Sequence, residues 1–232
     1  MQMKSPFFIA LDLEDRQKID FIVESTKSFV GGFKVGPRLL FKFGPEYLKE
    51  LCQTAPVFVD HKFYDIPNTM VNSVRTAFDC GASFVTVHAG SGAVALKKMA
   101  ELEAELSKIR PFKVLAVTAL TSFDESSRPT HWQEKNIEEH VKLMAQATAD
   151  SGLTGFVCSP FEVGLVKAIL PEAFVVTPGI RLDGDDSDDQ KRIMTPEKAI
   201  QAGASALVIG RSIVKSAKPA QVAQSIFERV SL

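Results

Sequence analysis

One short stretch gathers side chains suited to handling a proton next to a developing negative charge. Directly after the apolar run at 57–59 the chain reads Asp60-His61-Lys62-Phe63-Tyr64-Asp65-Ile66-Pro67-Asn68-Thr69. Alternate residues of an extended strand share a face. Asp60 and Lys62 therefore point the same way, and His61 points away from them. Asp65 follows where the next helix begins. Two carboxylates around one ammonium keep the lysine charged and fixed, which makes it a poor base and a good proton donor to a carbanion. A structural ion pair at a strand end would use the same residues, and a lone Asp-x-Lys is more often that.

Other charged residues close apolar runs in the same manner. Asp12 ends the first run and Lys34 lies at the end of the second. Together they suit ribose hydroxyls, and Lys34 can extend the charge network of Asp60 and Lys62. Each taken alone is an ordinary loop charge. Two glycine-containing strings, Thr177-Pro178-Gly179-Ile180-Arg181 and Ile209-Gly210-Arg211-Ser212, follow the last two apolar runs. Glycine lets a backbone approach an anion closely, and arginine supplies a charged fork. Gln190 adds a neutral donor. Two ordinary glycine turns with surface arginines are the plainer alternative, but two such motifs after consecutive runs favour a phosphate cradle.

Thr118, Thr121 and Ser122 are candidates for hydrogen bonds to a flat heterocycle, or for capping a turn. His88 is expected to be a packed or hydrogen-bonded histidine rather than a general base. His131 and His140 are expected on helix surfaces. The acidic run at 183–189 resembles part of a calcium loop. It lacks glycine at the sixth position, and Met194 stands where the closing glutamate belongs, so a solvated loop is expected. No serine or cysteine sits in a nucleophile elbow.

The elements that must position these groups follow from the apolar pattern. Short apolar runs occur at 7–11, 32–35, 57–59, 84–87, 113–117, 155–158, 173–176 and 206–209. Helix-period segments lie between them, for example 69–80 with Val71, Val74, Ala77 and Phe78, and 94–106 with Leu96, Met99, Leu102 and Leu106. Strands apolar on both faces belong to a parallel sheet covered by helices. The pattern predicts an α/β fold, a (β/α)8 TIM barrel forming one domain over 1–232. An open doubly wound sheet is the alternative, but no GxGxxG follows the first strand. In a barrel Asp12, Lys34, Asp60 and Lys62 fall at the C-terminal rim, and phosphate is frequently held after strands seven and eight. Two polar connections, 118–131 and 181–195, would lie on the same rim.

The bulk numbers agree. The chain has 232 residues, 45% hydrophobic and 24% charged, with net charge −1, a balance that gives no support for nucleic-acid binding through a basic surface. No run reaches membrane length, and the N-terminal apolar run is too short for a signal peptide. Cys52, Cys80 and Cys158 are widely spaced and form no CxxC or Cys/His cluster, so free thiols in a reducing cytoplasm are expected and a zinc site is not.

With Asp60-x-Lys62-x-x-Asp65-Ile66-Pro67-x-Thr69 in place, the chain resembles the orotidine 5′-phosphate decarboxylase family. The agreement extends through Ala10-Leu11-Asp12, Phe33-Lys34-Val35-Gly36, Leu120-Thr121-Ser122, Thr177-Pro178-Gly179-Ile180-Arg181, Asp189-Gln190 and Ile209-Gly210-Arg211-Ser212, and the small residues after His88 are compatible. The resemblance implies a pyrimidine-biosynthetic carboxy-lyase that converts orotidine 5′-phosphate to UMP and CO2. It implies that Lys62 protonates C6 of the pyrimidine, with Asp60 and Lys34 completing the charged network. Asp65 and Thr69 would reach the neighbouring subunit's site. Asp12 would hold ribose and Thr121 the pyrimidine ring. Gln190, Gly210 and Arg211 would bind phosphate, with Arg181 alongside. It further implies a cytoplasmic homodimer with shared active sites that uses no metal and no organic cofactor. Two rivals remain: a Mg-dependent barrel enzyme of the hexulose-phosphate synthase or keto-gulonate-phosphate decarboxylase type, and a non-catalytic nucleotide sensor. The Ile66-Pro67-Asn68-Thr69 continuation argues against the first, and retention of every mouth charge against the second.

Overall fold

A computed structural model describes residues 3–132, 134–182 and 193–230. Strands β1 (Phe7–Ala10), β2 (Gly32–Val35), β3 (Val57–Phe63), β4 (Phe84–His88), β5 (Lys113–Val117), β6 (Gly155–Val157), β7 (Phe174–Thr177) and β8 (Ala206–Ile209) form a closed parallel barrel in chain order. β1 pairs with β8, which leaves no sheet edge open. Closure excludes the open doubly wound sheet.

Alternation along the strands divides the core in two. Phe8, Phe58, Phe84, Leu115, Val157, Val176 and Val208 fill the barrel interior. Phe8, Phe58 and Phe84 meet edge to face, with centroids 5.1–6.3 Å apart. Each is essentially fully buried, a contribution of about 1.5–3 kcal/mol apiece. They make a rigid apolar plug beneath the mouth. The opposite set, including Phe7, Ile9, Phe33, Val57, Val85 and Val114, packs outward against the helices.

The connecting helices include α1 (Arg16–Thr26), α2 (Pro37–Thr54), α3 (Pro67–Asp79), α4 (Ala93–Leu106), α5 (Ile137–Asp150), α6 (Val163–Ile169), α7 (Pro196–Gln201), α8 (Arg211–Val214) and α9 (Pro219–Val230). Their starts have local causes. The Asp15 carboxylate caps α1, and Asn136 with Glu139 forms a capping box on α5. Pro67 opens α3 at a position where a missing N–H costs nothing. That proline starts the helix ahead of the apolar period expected from Thr69.

Three features differ from what the sequence predicts. β3 does not stop at Val59 but runs on to Phe63, with its register against β4 shifted between those two residues. Of the extra residues, Asp60 and Lys62 line the mouth, while Phe63 packs against the outer core. The connection at 118–131 is not simply a polar loop either. Ala119, Trp132, Ile137 and Val141 form a separate small core beneath it. His140, expected on a helix surface, stacks on Trp132 at 4.4 Å and bonds through Nε2 to the Trp132 carbonyl. His131 is exposed, as expected. Among the described residues, no helix is long and apolar enough to cross a membrane.

Candidate active site

The barrel opens at the C-terminal ends of its strands into a cavity of about 680 Å³. Its wall carries Asp12, Lys34, Asp60, Lys62, Thr121, Arg181, Gly210 and Arg211 together. These residues lie up to about two hundred positions apart in the chain, and only closure of the barrel brings them to one mouth.

Four of them form a row of alternating charge. Lys34 Nζ lies 3.3 Å from both carboxylate oxygens of Asp12 and 3.4 Å from Oδ2 of Asp60. Lys62 Nζ donates to Oδ1 of Asp60 at 2.9 Å. The order is therefore Asp12, Lys34, Asp60, Lys62. Gly36 leaves room for the first pair, since a Cβ there would stand 3.3 Å from Asp12 Oδ1. Lys34 and Asp60 are the buried members, with side chains 11% and 15% exposed, while Lys62 reaches further into the open mouth. Burial works to raise the Asp60 pKa. The charges of Lys34 and Lys62, with hydrogen bonds from Lys62 and Thr86, outweigh it and hold the carboxyl below its usual value.

Lys62 reaches this position through a bent backbone. Its φ is +49°, the one positive value at a non-glycine position among the described residues. Such a conformation costs roughly 1–3 kcal/mol and persists only where its surroundings hold it. The expected shared face of Asp60 and Lys62 is therefore real, but a distorted strand and not a regular pleat produces it. His61 turns away as expected, between the rings of Phe41 and Phe63. Burial lowers its pKa and the Asp60 charge only partly offsets this.

Thr86 on β4 carries no sign of importance in the sequence, being a β-branched residue in an apolar strand. Yet its fully buried hydroxyl accepts the Lys62 backbone N–H at 2.8 Å and donates to Asp60 Oδ1 at 3.0 Å. His88, at the end of the same strand, is a packed histidine. Its Nδ1 accepts the Gly90 N–H at 3.0 Å and its ring stacks on Tyr64. Burial first, and then the nearby Lys62 charge, lowers its pKa.

On the opposite wall, Arg211 opens α8 directly after Gly210, and a Cβ at Gly210 would press on that of Ala10 at 3.4 Å. Gly179 has φ +82°, which favours glycine. Arg181 is buried, its Nη1 donating to the Ile180 carbonyl at 2.9 Å, and its backbone N–H bonds to Met194. Thr121 and Ser122 border the cavity. Thr118 does not, because its hydroxyl is buried against the Val157 carbonyl at 3.3 Å. Gln190 and the acidic run at 183–189 lie outside the described residues. Asp65 and Thr69 are exposed and do not border this chain's cavity. The Asp65 carboxylate instead accepts the N–H of Ile66 at 2.6 Å.

Residues 5–226 match the model of the orotidine 5′-phosphate decarboxylase / HUMPS family. The chain belongs to this family. A protein of Pseudoalteromonas translucida named orotidine 5′-phosphate decarboxylase is 42% identical over 217 residues, which is 92% of either chain. One of the same name from Psychromonas ingrahamii is 39% identical over 225 residues, 94% of either chain. The crystal structure of orotidine 5′-phosphate decarboxylase from Lactobacillus acidophilus superposes with a TM-score of 0.84 at 29% identity, covering 99% of this chain and all of the other. Among the described residues of this family member, no cluster of three or more His, Cys, Asp or Glu could hold a metal ion.

Proposed function

We propose that the protein decarboxylates orotidine 5′-phosphate to UMP and CO2, with Lys62 as the proton donor. The observation that carries this reading is the row Asp12–Lys34–Asp60–Lys62 at the mouth of a barrel of this family. When the bond from C6 to the carboxylate breaks, its electron pair stays on a ring carbon that has no conjugated sink. A fixed ammonium beside that carbon stabilises the charge as it develops, and such preorganised charge is usually the largest catalytic term. Lys62 then gives one Nζ proton to C6 and regains it from water, so the reaction consumes one proton overall. Asp60 orients the ammonium and keeps it protonated until that transfer.

The far wall serves the other end of the substrate. Arg211, the Gly210 backbone and Arg181 are assigned to the phosphate, with Gln190 as a further donor. Asp12 and Lys34 are assigned to the ribose hydroxyls and Thr121 to the pyrimidine edge. Phosphate binding is remote from the reacting bond, so its energy is available to organise the mouth and to bury a charged substrate.

The reading extends to a homodimer with shared sites. Asp65 lies between two exposed apolar side chains, Tyr64 and Ile66, 67% and 68% exposed. Exposed apolar surface of this kind generally marks an interface. Asp65 and Thr69 are assigned to the partner's cavity from that surface. The test is direct: purified protein with orotidine 5′-phosphate should lose the substrate's absorbance and release one CO2 and one UMP per turnover. Tight binding of UMP without turnover would favour a nucleotide sensor.

A further inference from the structure

We propose that Thr86 is a positioning residue for the reaction: its single hydroxyl holds the backbone of Lys62 and the carboxylate of Asp60 in the relative geometry that the proton transfer needs. The inference deepens the decarboxylase reading and rests on it.

The strand geometry creates the requirement. From Val59 to Phe63, β3 advances four residues while its partner β4 advances only from Val85 to Val87. The surplus residues, Asp60 to Lys62, leave the regular ladder. A backbone N–H displaced from a ladder and partly buried must find another acceptor. For Lys62 that acceptor is the Thr86 hydroxyl, at 2.8 Å. The bond holds Lys62 at φ +49°, a conformation a lysine does not choose unaided.

The same oxygen carries one proton, and Asp60 Oδ1 takes it at 3.0 Å. That carboxylate oxygen also receives the Lys62 ammonium at 2.9 Å. One short loop of contacts therefore runs from the Lys62 backbone through Thr86 and Asp60 back to the Lys62 side chain. Both ends of the lysine are referred to one point on β4, a strand fixed by paired neighbours on both sides. Thr86 lies beneath the charged row and does not border the cavity, so it acts through the other two residues.

Thr86→Val keeps the shape and removes both hydrogen bonds, whereas Thr86→Ser keeps the hydroxyl. For wild type, T86V and T86S, kcat and KM for orotidine 5′-phosphate would be measured beside the thermal midpoint, and crystal structures would give the Lys62 conformation. T86V is expected to lose on the order of 10- to 100-fold in kcat, the scale of a misplaced catalytic group, with KM changed less than about threefold. T86S is expected to keep kcat within about threefold. In T86V crystals Lys62 should leave the left-handed region or lose its contact with Asp60. Should T86V not fold, T86S against T86A carries the same comparison, and T86A must lose kcat while T86S keeps it. A folded T86V with kcat within twofold of wild type, or with the Lys62 φ and its Asp60 contact unchanged, overturns the proposal. Loss of kcat in T86S equal to that in T86V overturns it too. If wild type itself fails to turn over the substrate, the decarboxylase reading falls, and the Lys62 conformation in T86V alone decides the role of Thr86.

Discussion

Asp60 divides its two carboxylate oxygens between two lysines: Oδ1 takes the Lys62 ammonium at 2.9 Å and Oδ2 faces that of Lys34 at 3.4 Å. Neither lysine competes for the other's oxygen. Asp60 thus separates two like charges that would otherwise repel in a confined mouth, and it fixes Lys62 from one side while leaving the other open to a substrate.

This arrangement gives acid stability a defined signature. The folded-state pKa of Asp60 lies below its unfolded value. A depressed carboxylate contributes stability that is fully present above the unfolded pKa of about 3.9 and is lost as pH falls through the folded one. The difference in unfolding free energy between wild type and Asp60→Asn should therefore be flat from about pH 5 to 8 and should shift against wild type below about pH 4. Denaturant unfolding at a series of pH values measures it. A difference that stays constant down to pH 2 would mean that Asp60 titrates alike in both states.

Much of this was legible in the chain. The eight strands announce themselves because a barrel strand is apolar on both faces, and strand alternation predicts that Asp60 and Lys62 share a face, although the chain achieves this through a distorted strand. Thr86 was not legible, since its partners lie 24 and 26 residues away and a threonine inside Phe84–His88 satisfies every strand preference without a further role. The run of β3 to Phe63 is hidden for the converse reason: the apolar run ends at Val59, and the register shift that keeps Asp60 to Lys62 within the strand is a distortion that no local pattern encodes. His140 reads as surface in the helical period, but its ring is claimed by Trp132 across a turn.

Metal removal should have no effect. Lys34 Nζ already occupies the space between the Asp12 and Asp60 carboxylates, at 3.3 and 3.4 Å, so a divalent cation would have to displace an ammonium from the one acidic part of the described mouth. Turnover after exhaustive EDTA treatment should equal that of untreated enzyme. Loss on chelation with recovery in Mg²⁺ would favour the Mg-dependent barrel rival.

Arg211→Ala should lower kcat/KM by about 2–5 kcal/mol, or roughly 30- to several-thousand-fold, the cost of stripping a charged partner from an anion in a confined site. Part of the loss should fall on kcat if, as proposed, phosphate binding organises the mouth. Steady-state kinetics separate the two parameters. A rise in KM with kcat untouched would reduce the contact to simple tethering.

Shared sites predict complementation. Lys62→Ala and Asp65→Ala homodimers should each be nearly inactive. After subunit exchange of equal amounts, a mixed dimer holds one doubly defective site and one intact site, so roughly a quarter of all sites should be native by two-fold symmetry. Recovered activity, with exchange confirmed by mass, checks this. A mixture that stays inactive after exchange would place Asp65 in its own chain's site.

The account stands or falls most directly on Lys62. Its side chain is 38% exposed at the rim, away from the apolar plug, so Lys62→Ala should leave the fold intact by circular dichroism and melting. Decarboxylation of orotidine 5′-phosphate, followed by absorbance under saturating substrate, should fall by a factor on the order of 10²–10⁴ or more when the proposed proton donor is removed. A folded K62A enzyme turning over at close to the wild-type rate would contradict the account.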